Sequence, residues 1–222
     1  MDHYEALRRK LDAHLTGAPQ SRYLDELLRM LYTEDEIRIA GNLSFRMKTL
    51  PEILQAASGD EVQIEAHLGA MADKGVIIGI PTKKGRGYAL VPLTSLCERS
   101  VQRICTGPEH ERLVALWKQY RHEGMIASLC GEPTPLMRII PVEAELKGVT
   151  RVLPHHVVSS YIRDADVIAL SECSCRIVEQ GCSAPLETCF NFGSMAAFLV
   201  EKSLARRVSQ EEALRILEET EK

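Results

Sequence analysis

Residues 49–93 read TLPEILQAASGDEVQIEAHLGAMADKGVIIGIPTKKGRGYALVPL, and the order of elements in this stretch decides the N-terminal fold. Thr49 can cap a helix whose first turn holds Pro51, a position where a missing N–H costs no intrahelical bond. After the turn at Gly59, Asp60 offers a second cap. Val62, Ile64, Leu68 and Met71 then contribute apolar surface to a helix that Gly75 ends. Two strand-like runs, Val76–Ile80 and Tyr88–Val91, flank a tip made of Lys83, Lys84, Gly85, Arg86 and Gly87. Helix, turn, helix, hairpin is the order of a winged helix, and that fold is expected here.

Upstream, Tyr4, Leu7, Leu11 and Leu15 recur at helical spacing, so a lead helix is expected from Asp2 to Leu15, broken by Gly17, Ala18 and Pro19. A second helix is expected from Ser21 to Ile39, capped by Ser21 and striped by Leu24, Leu27, Leu28 and Leu31. Downstream, 94–105 and 108–121 read as helices that link two domains. Leu136–Val142 and Ala165–Leu170 are short apolar runs bounded by Pro, Asp and Gly, which predicts a small sheet with a helix from His155 to Arg163 between them. Gly193–Leu204 reads as helix, and Ser209 with Glu212 forms a capping-box pattern that opens a last one. The expected class is α+β, mostly helical. It comprises a winged helix-turn-helix domain with its lead helix over 1–94, a helical linker over 95–135 and a small α/β cysteine-rich domain over 136–222.

The chain has 222 residues, enough for two small cores, and its hydrophobic fraction of 45% and charged fraction of 26% are those of a water-soluble globular protein. No apolar run approaches the ~20 residues of a membrane-spanning helix. The opening MDHYEALRRKLDAHL mixes charge with apolar residues and lacks the features of a signal peptide, so a cytoplasmic location is expected. A net charge of -4 gives no basic footprint for nucleic acid. Phosphate-binding glycine loops and the Gly-x-Ser-x-Gly elbow are absent, which argues against a nucleotide enzyme or a serine hydrolase.

Chemistry concentrates in 171–190, SECSCRIVEQGCSAPLETCF, which holds Cys173, Cys175, Cys182 and Cys189 among seven cysteines in all. In a reducing compartment such density points to a metal or redox site more than to disulfides or buried inert thiols. Gly181, Ser183 and Pro185 preclude a continuous helix, so the stretch is expected to be largely loop. Four thiolates suit either a 4Fe-4S cluster or a tetrahedral zinc. Zinc sites usually pair Cys-x2-4-Cys knuckles, whereas only one pair is close here, so the spacing favours the bulkier cluster. Arg176, directly after Cys175, is expected to offset cluster charge or donate to a sulfur.

These motifs carry a family resemblance. The Cys-x-Cys-Arg block and the Cys-x6-Cys ending, with VLPHHVV and RIIPVE before them and LGAMADKGVI and GYALVPL in the N-terminal half, resemble the bacterial and archaeal 4Fe-4S proteins that have a winged-helix-like N-terminal region. The resemblance covers most of the chain, and the Cys-x-Cys-Arg block is its most specific part. It implies one 4Fe-4S cluster on Cys173, Cys175, Cys182 and Cys189, and single-electron exchange with a redox protein or oxidoreductase rather than stand-alone catalysis. Many members continue into ferredoxin-type cysteine motifs. This sequence has no Cys-x2-Cys-x2-Cys run, a departure that puts a multi-cluster electron wire in doubt or implies that such a C-terminal part is missing from this chain.

The remaining candidates have plainer readings. Cys97 and Cys105 are expected in core or linker, and Cys130 in a loop before two prolines. His155 and His156 are adjacent and would not share a helix face, which makes joint chelation awkward. Asp60, Glu61, Glu65 and Asp73 make the second helix of residues 49–93 acidic, so DNA is disfavoured despite Lys83, Lys84 and Arg86 at the tip.

Overall fold

The computed structural model describes residues 2–103, 107–130, 158–181 and 183–220. It divides into a first unit, Met1–Leu136 with Ile177–Gln180, and a second, Met137–Arg176 with Gly181–Lys222. Among the described residues the class is α+β and mostly helical, with two three-stranded sheets.

In the first unit, α1 (His3–Asp12) starts at Asp2, whose carboxylate accepts from the Tyr4 N–H at 2.9 Å. Tyr4, Leu7 and Leu11 are buried, but Leu15 lies past the end of the helix and is 78% exposed. The chain turns there through Gly17 at φ +64°, and the Asp12 carboxylate ties the turn down by accepting from the Ala18 N–H at 2.7 Å.

The single helix expected from Ser21 to Ile39 is two helices, α2 (Arg22–Leu31) and α3 (Glu34–Ala40). A capping box separates them: Thr33 Oγ1 accepts from the Glu36 N–H at 3.3 Å and the Thr33 N–H donates to Glu36 Oε2 at 2.8 Å. Tyr32 is extended at the break, and its hydroxyl donates to the Val76 carbonyl at 2.9 Å.

β1 (Lys48–Thr49) leads into α4 (Leu50–Leu54), where the Thr49 N–H and hydroxyl both donate to Glu52 Oε2 at 2.8 and 2.9 Å. α5 (Glu61–Asp73) starts at Asp60, whose carboxylate accepts from the Gln63 N–H at 3.1 Å. It buries Ile64, Leu68, Met71 and Ala72. Val62, expected on that stripe, is 74% exposed, because two residues at about 100° each turn it away from Ile64.

β2 (Ile77–Thr82) and β3 (Gly85–Leu90) form an antiparallel hairpin closed by Lys83 and Lys84, with Gly85 at φ +106°. β1 completes the sheet on the far side of β3, in the order β1-β3-β2. Gly87 leaves no room for a side chain, since a Cβ there would lie 2.6 Å from Met47 Cγ.

α6 (Leu93–Arg103) and α7 (Pro108–Tyr120) belong to the same unit, and α7 packs beside α2. Trp117 and Tyr120 are fully enclosed. Their polar atoms are satisfied there: Trp117 Nε1 donates to Ser100 Oγ at 3.0 Å and the Tyr120 hydroxyl to the Pro19 carbonyl at 3.2 Å. A π-helical turn, Arg121–Met125, leads into α8 (Ile126–Cys130), so Cys130 ends a helix rather than sitting in a loop.

The second unit contains α9 (Val158–Asp164), β4 (Ile168–Glu172), the first residues of α10 (Ser174–Glu179), β5 (Glu187–Phe192), α11 (Gly193–Glu201), β6 (Arg206–Val208) and α12 (Gln210–Thr220). Its sheet is antiparallel in the order β5-β4-β6. Ile168, Leu170 and Val208 bury one face with Ile162 and Ala213, and Phe190 and Phe192 pack partly exposed against them. α11 ends before the expected Leu204, where Ser203 takes φ +56° and the Leu204 N–H donates to the Leu199 carbonyl at 2.8 Å. Half of the expected capping box forms at α12. The Glu212 N–H donates to Ser209 Oγ at 3.1 Å, while the Glu212 carboxylate pairs instead with Arg206 at 2.6 Å. The expected strand Leu136–Val142, His155, His156 and Cys105 lie outside the described residues.

Candidate functional site

The cysteine stretch is more ordered than its Gly and Pro content implies. β4 runs to Glu172, Cys173 follows it directly, Cys175 stands in the first turn of α10, and Cys189 lies within β5. The expectation of a largely looped stretch is therefore corrected: a short helix ends before Gly181, and a strand begins after Pro185, so each breaker bounds an element. Cys173 and Cys189 are half-buried and Cys175 is exposed; all three carry thiols rather than disulfides. Cys182 lies outside the described residues.

Strand pairing brings the beginning and end of the stretch together. Ser171 is the cross-strand partner of Cys189, and the Cys173 N–H donates to the Leu186 carbonyl at 2.7 Å. Cross-strand partners share a face, so Cys189 stands on the face of Ser171, opposite the one where Leu170 and Phe190 enter the core. The ladder shifts between Ser171 and Glu172: Ser171 pairs with Cys189, but Glu172 pairs with Glu187. Thr188 is left as the extra residue of a bulge, a device that re-aims a side chain.

Arg176 engages that bulge. Its Nη1 donates to the Pro185 carbonyl and, at 3.1 Å, to Thr188 Oγ1. Beyond Cys189, Asn191 Nδ2 donates to the Cys189 carbonyl and to Ser171 Oγ, both at 3.1 Å. Thr188 and Asn191 were invisible as site residues in the sequence, because an unremarkable polar residue in a strand carries no signal until its register is known. Within the first unit, residues 177–180 are anchored by buried Val178 and by Glu179, whose carboxylate meets Arg121 at 3.1 Å and His122 at 3.4 Å.

Among the described residues, no three His, Cys, Asp or Glu side chains are grouped as a metal site. Cys173, Cys175 and Cys189 are thus not gathered into one metal site, although thiolate sulfur is the donor type that suits a thiolate-ligated group. Soft sulfur donors follow one strand, open one helix and sit in the paired strand, with Cys182 between them in sequence. Cys97, by contrast, is buried in the aliphatic core of the first unit, as expected for an inert thiol.

Two other surface features lie outside the cysteine stretch. The exposed side of α5 carries Glu61 and Glu65, whereas Lys83 and Lys84 stand exposed at the hairpin turn. A cleft of about 410 Å³ beside β6 is lined by Asp166, Arg207, Ser209 and Gln210, with no cysteine, histidine or lysine to act as nucleophile or base. No helix among the described residues is long and apolar enough to cross a membrane. Comparison with family models, with curated proteins and with solved structures found no match to the chain.

Proposed function

We propose that the protein is an iron-sulfur protein holding one 4Fe-4S cluster on Cys173, Cys175, Cys182 and Cys189, and that it exchanges single electrons with a partner redox protein or oxidoreductase. The observation that carries this reading is the β4–β5 pairing, which joins Cys173 to Leu186 and sets Cys189 opposite Ser171, so that both ends of the four-cysteine stretch meet at this strand pair. A bound cluster supplies reversible one-electron chemistry. The chain supplies four soft ligands, and the exposure of Cys175 gives a route by which a partner can approach closely.

Residues 1–94 act in this reading as a winged-helix docking module. The succession α4, α5 and the β2–β3 hairpin, with β1 as third strand, supports that assignment. Its acidic α5 surface suits a protein partner rather than DNA phosphates. A redox-responsive transcription regulator would instead require that surface to approach a polyanion. Salt-sensitive binding of the cluster-loaded protein to DNA fragments would favour the regulator.

Anaerobic purification tests the reading. A brown protein with broad absorption at the blue end of the visible range is expected, losing colour and iron together on Cys175→Ser. A colourless protein with stoichiometric zinc would overturn the iron assignment in favour of a structural zinc site.

A further inference from the structure

We propose that Arg176 is a positioning residue: its guanidinium holds the Pro185–Thr188 turn against the start of α10, and thereby fixes where Cys189 stands relative to Cys175. The inference rests on the cluster reading for its consequence, but its geometry belongs to the polypeptide alone. Arg176 follows Cys175 by one residue and bonds to Thr188, one residue before Cys189. One guanidinium therefore spans the stretch from its helical start to its strand end.

The bulge explains why an arginine is needed. Thr188 is the residue left without a counterpart when the ladder slips between Ser171 and Glu172, and the bulge turns its hydroxyl toward Arg176. The Pro185 carbonyl, at the same turn, accepts from the same Nη1. A planar fork on a fixed axis can serve a carbonyl and a hydroxyl from one nitrogen while its other N–H groups remain available. An ammonium on a flexible stem is strongly hydrated and holds no such plane. The Leu186 carbonyl inside the turn accepts from the N–H groups of Cys173 at 2.7 Å and Thr188 at 2.9 Å. Asn191 grips the Cys189 carbonyl from the other side. Arg176 is thus the one cationic member of a set of backbone ties that converge on the residues next to the cysteines.

This role differs from compensation of cluster charge, and lysine separates the two. Arg176→Lys keeps the charge and loses the fork; Arg176→Ala loses both. Full-length wild type, R176K, R176A and Thr188→Val are compared in two arms. In the first, on metal-free protein, hydrogen exchange is followed at the amides of Leu186, Thr188 and Cys189. In the second, on anaerobically purified protein, iron release to an excess of chelator is timed.

R176K and R176A are expected to exchange and to release iron about tenfold faster than wild type, with T188V between them and wild type. An R176K variant indistinguishable from wild type in both arms would overturn the proposal in favour of charge compensation. Unchanged exchange in R176A would overturn the clamp itself. Wild-type protein without iron would overturn the cluster reading, and the exchange arm, which needs no metal, would still decide whether Arg176 positions the turn.

Discussion

Trp117 and Tyr120 in the first unit are sealed from solvent, whereas Phe190 and Phe192 in the second stack at 6.5 Å and stay partly exposed. Phe198 of the second unit is also buried, so the contrast lies in the sheet-borne pair and not in every aromatic of that unit. The first unit encloses one continuous core to which α1 through α7 and the β2–β3 hairpin all contribute. The second has, among the described residues, a buried cluster of Ile162, Ile168, Leu170, Val208 and Ala213, and buries Ala196, Phe198 and Leu199 of α11 outside it. Around that cluster stand polar ties: Arg206 between Glu187 and Glu212, Arg176 on its bulge, Asn191 on Ser171. In the proposed reading, ligands at both ends of the β4–β5 pair would add a structural task to the redox one, because metal-binding energy adds to folding energy.

The comparison breaks most readily at Trp117. Trp117→Ala should cost about 3–5 kcal/mol, because it opens a cavity in the sealed core and removes the donor to Ser100 Oγ, which keeps its own bond to the Cys97 carbonyl. Chemical denaturation with hydrogen exchange in α2 and α7 measures it. A loss below about 1 kcal/mol would mean that enclosure is not what holds the first unit.

Removing iron should act on the other side of the comparison. Chelation under anaerobic conditions is expected to lower the protection of β4 and β5 amides by about 3 kcal/mol, the scale of a ligand held near a hundred times its Kd. Unchanged protection would mean that the second unit stands without its cluster.

A polar exception inside the first unit sharpens the contrast. Glu36 is buried, and burial pushes its carboxyl up, but hydrogen bonds from Lys74 and from the Thr33 N–H outweigh this and hold it below its ordinary value. A depressed folded pKa adds stability that is complete above the unfolded-state value of about 4.3 and disappears as pH falls through the folded value. Glu36→Gln should cost about 2 kcal/mol at neutral pH. The difference from wild type should shrink on acidification below pH ~4, as followed by denaturation at a series of pH values.

The smallest effect is expected at Arg206, whose side chain is 44% exposed between its two carboxylates. Arg206→Ala should cost no more than about 1 kcal/mol, less at high salt, since solvent screens exposed pairs. A loss of several kcal/mol would show that the surface ties of the second unit do more than supplement its core.

How much of this was legible in the sequence follows from how local each signal is. Asp60 and Gly75 bracket α5, and Lys83 with Gly85 mark the hairpin, because caps and turns depend on one or two residues. Thr33-Glu-Asp-Glu36 was just as local a signal, yet the leucine stripe before it masked the capping box that splits α2 from α3. β1 and β6 are two and three residues long, too short for alternation to show, and exist because β3 and β4 offer them an edge. At the cysteines, the choice of residues was readable but their setting was not. Cys175 in a helix, Cys189 in a strand and the bulge that hands Thr188 to Arg176 all depend on register, which is fixed by pairing across the sheet.

The central claim, that the second unit is organised around a cluster on Cys173, Cys175, Cys182 and Cys189, is tested most directly by iron and acid-labile sulfide analysis of anaerobically purified protein. The account predicts about four iron and about four sulfide per chain. Stoichiometric zinc without sulfide, or neither metal in a folded chain, would contradict it.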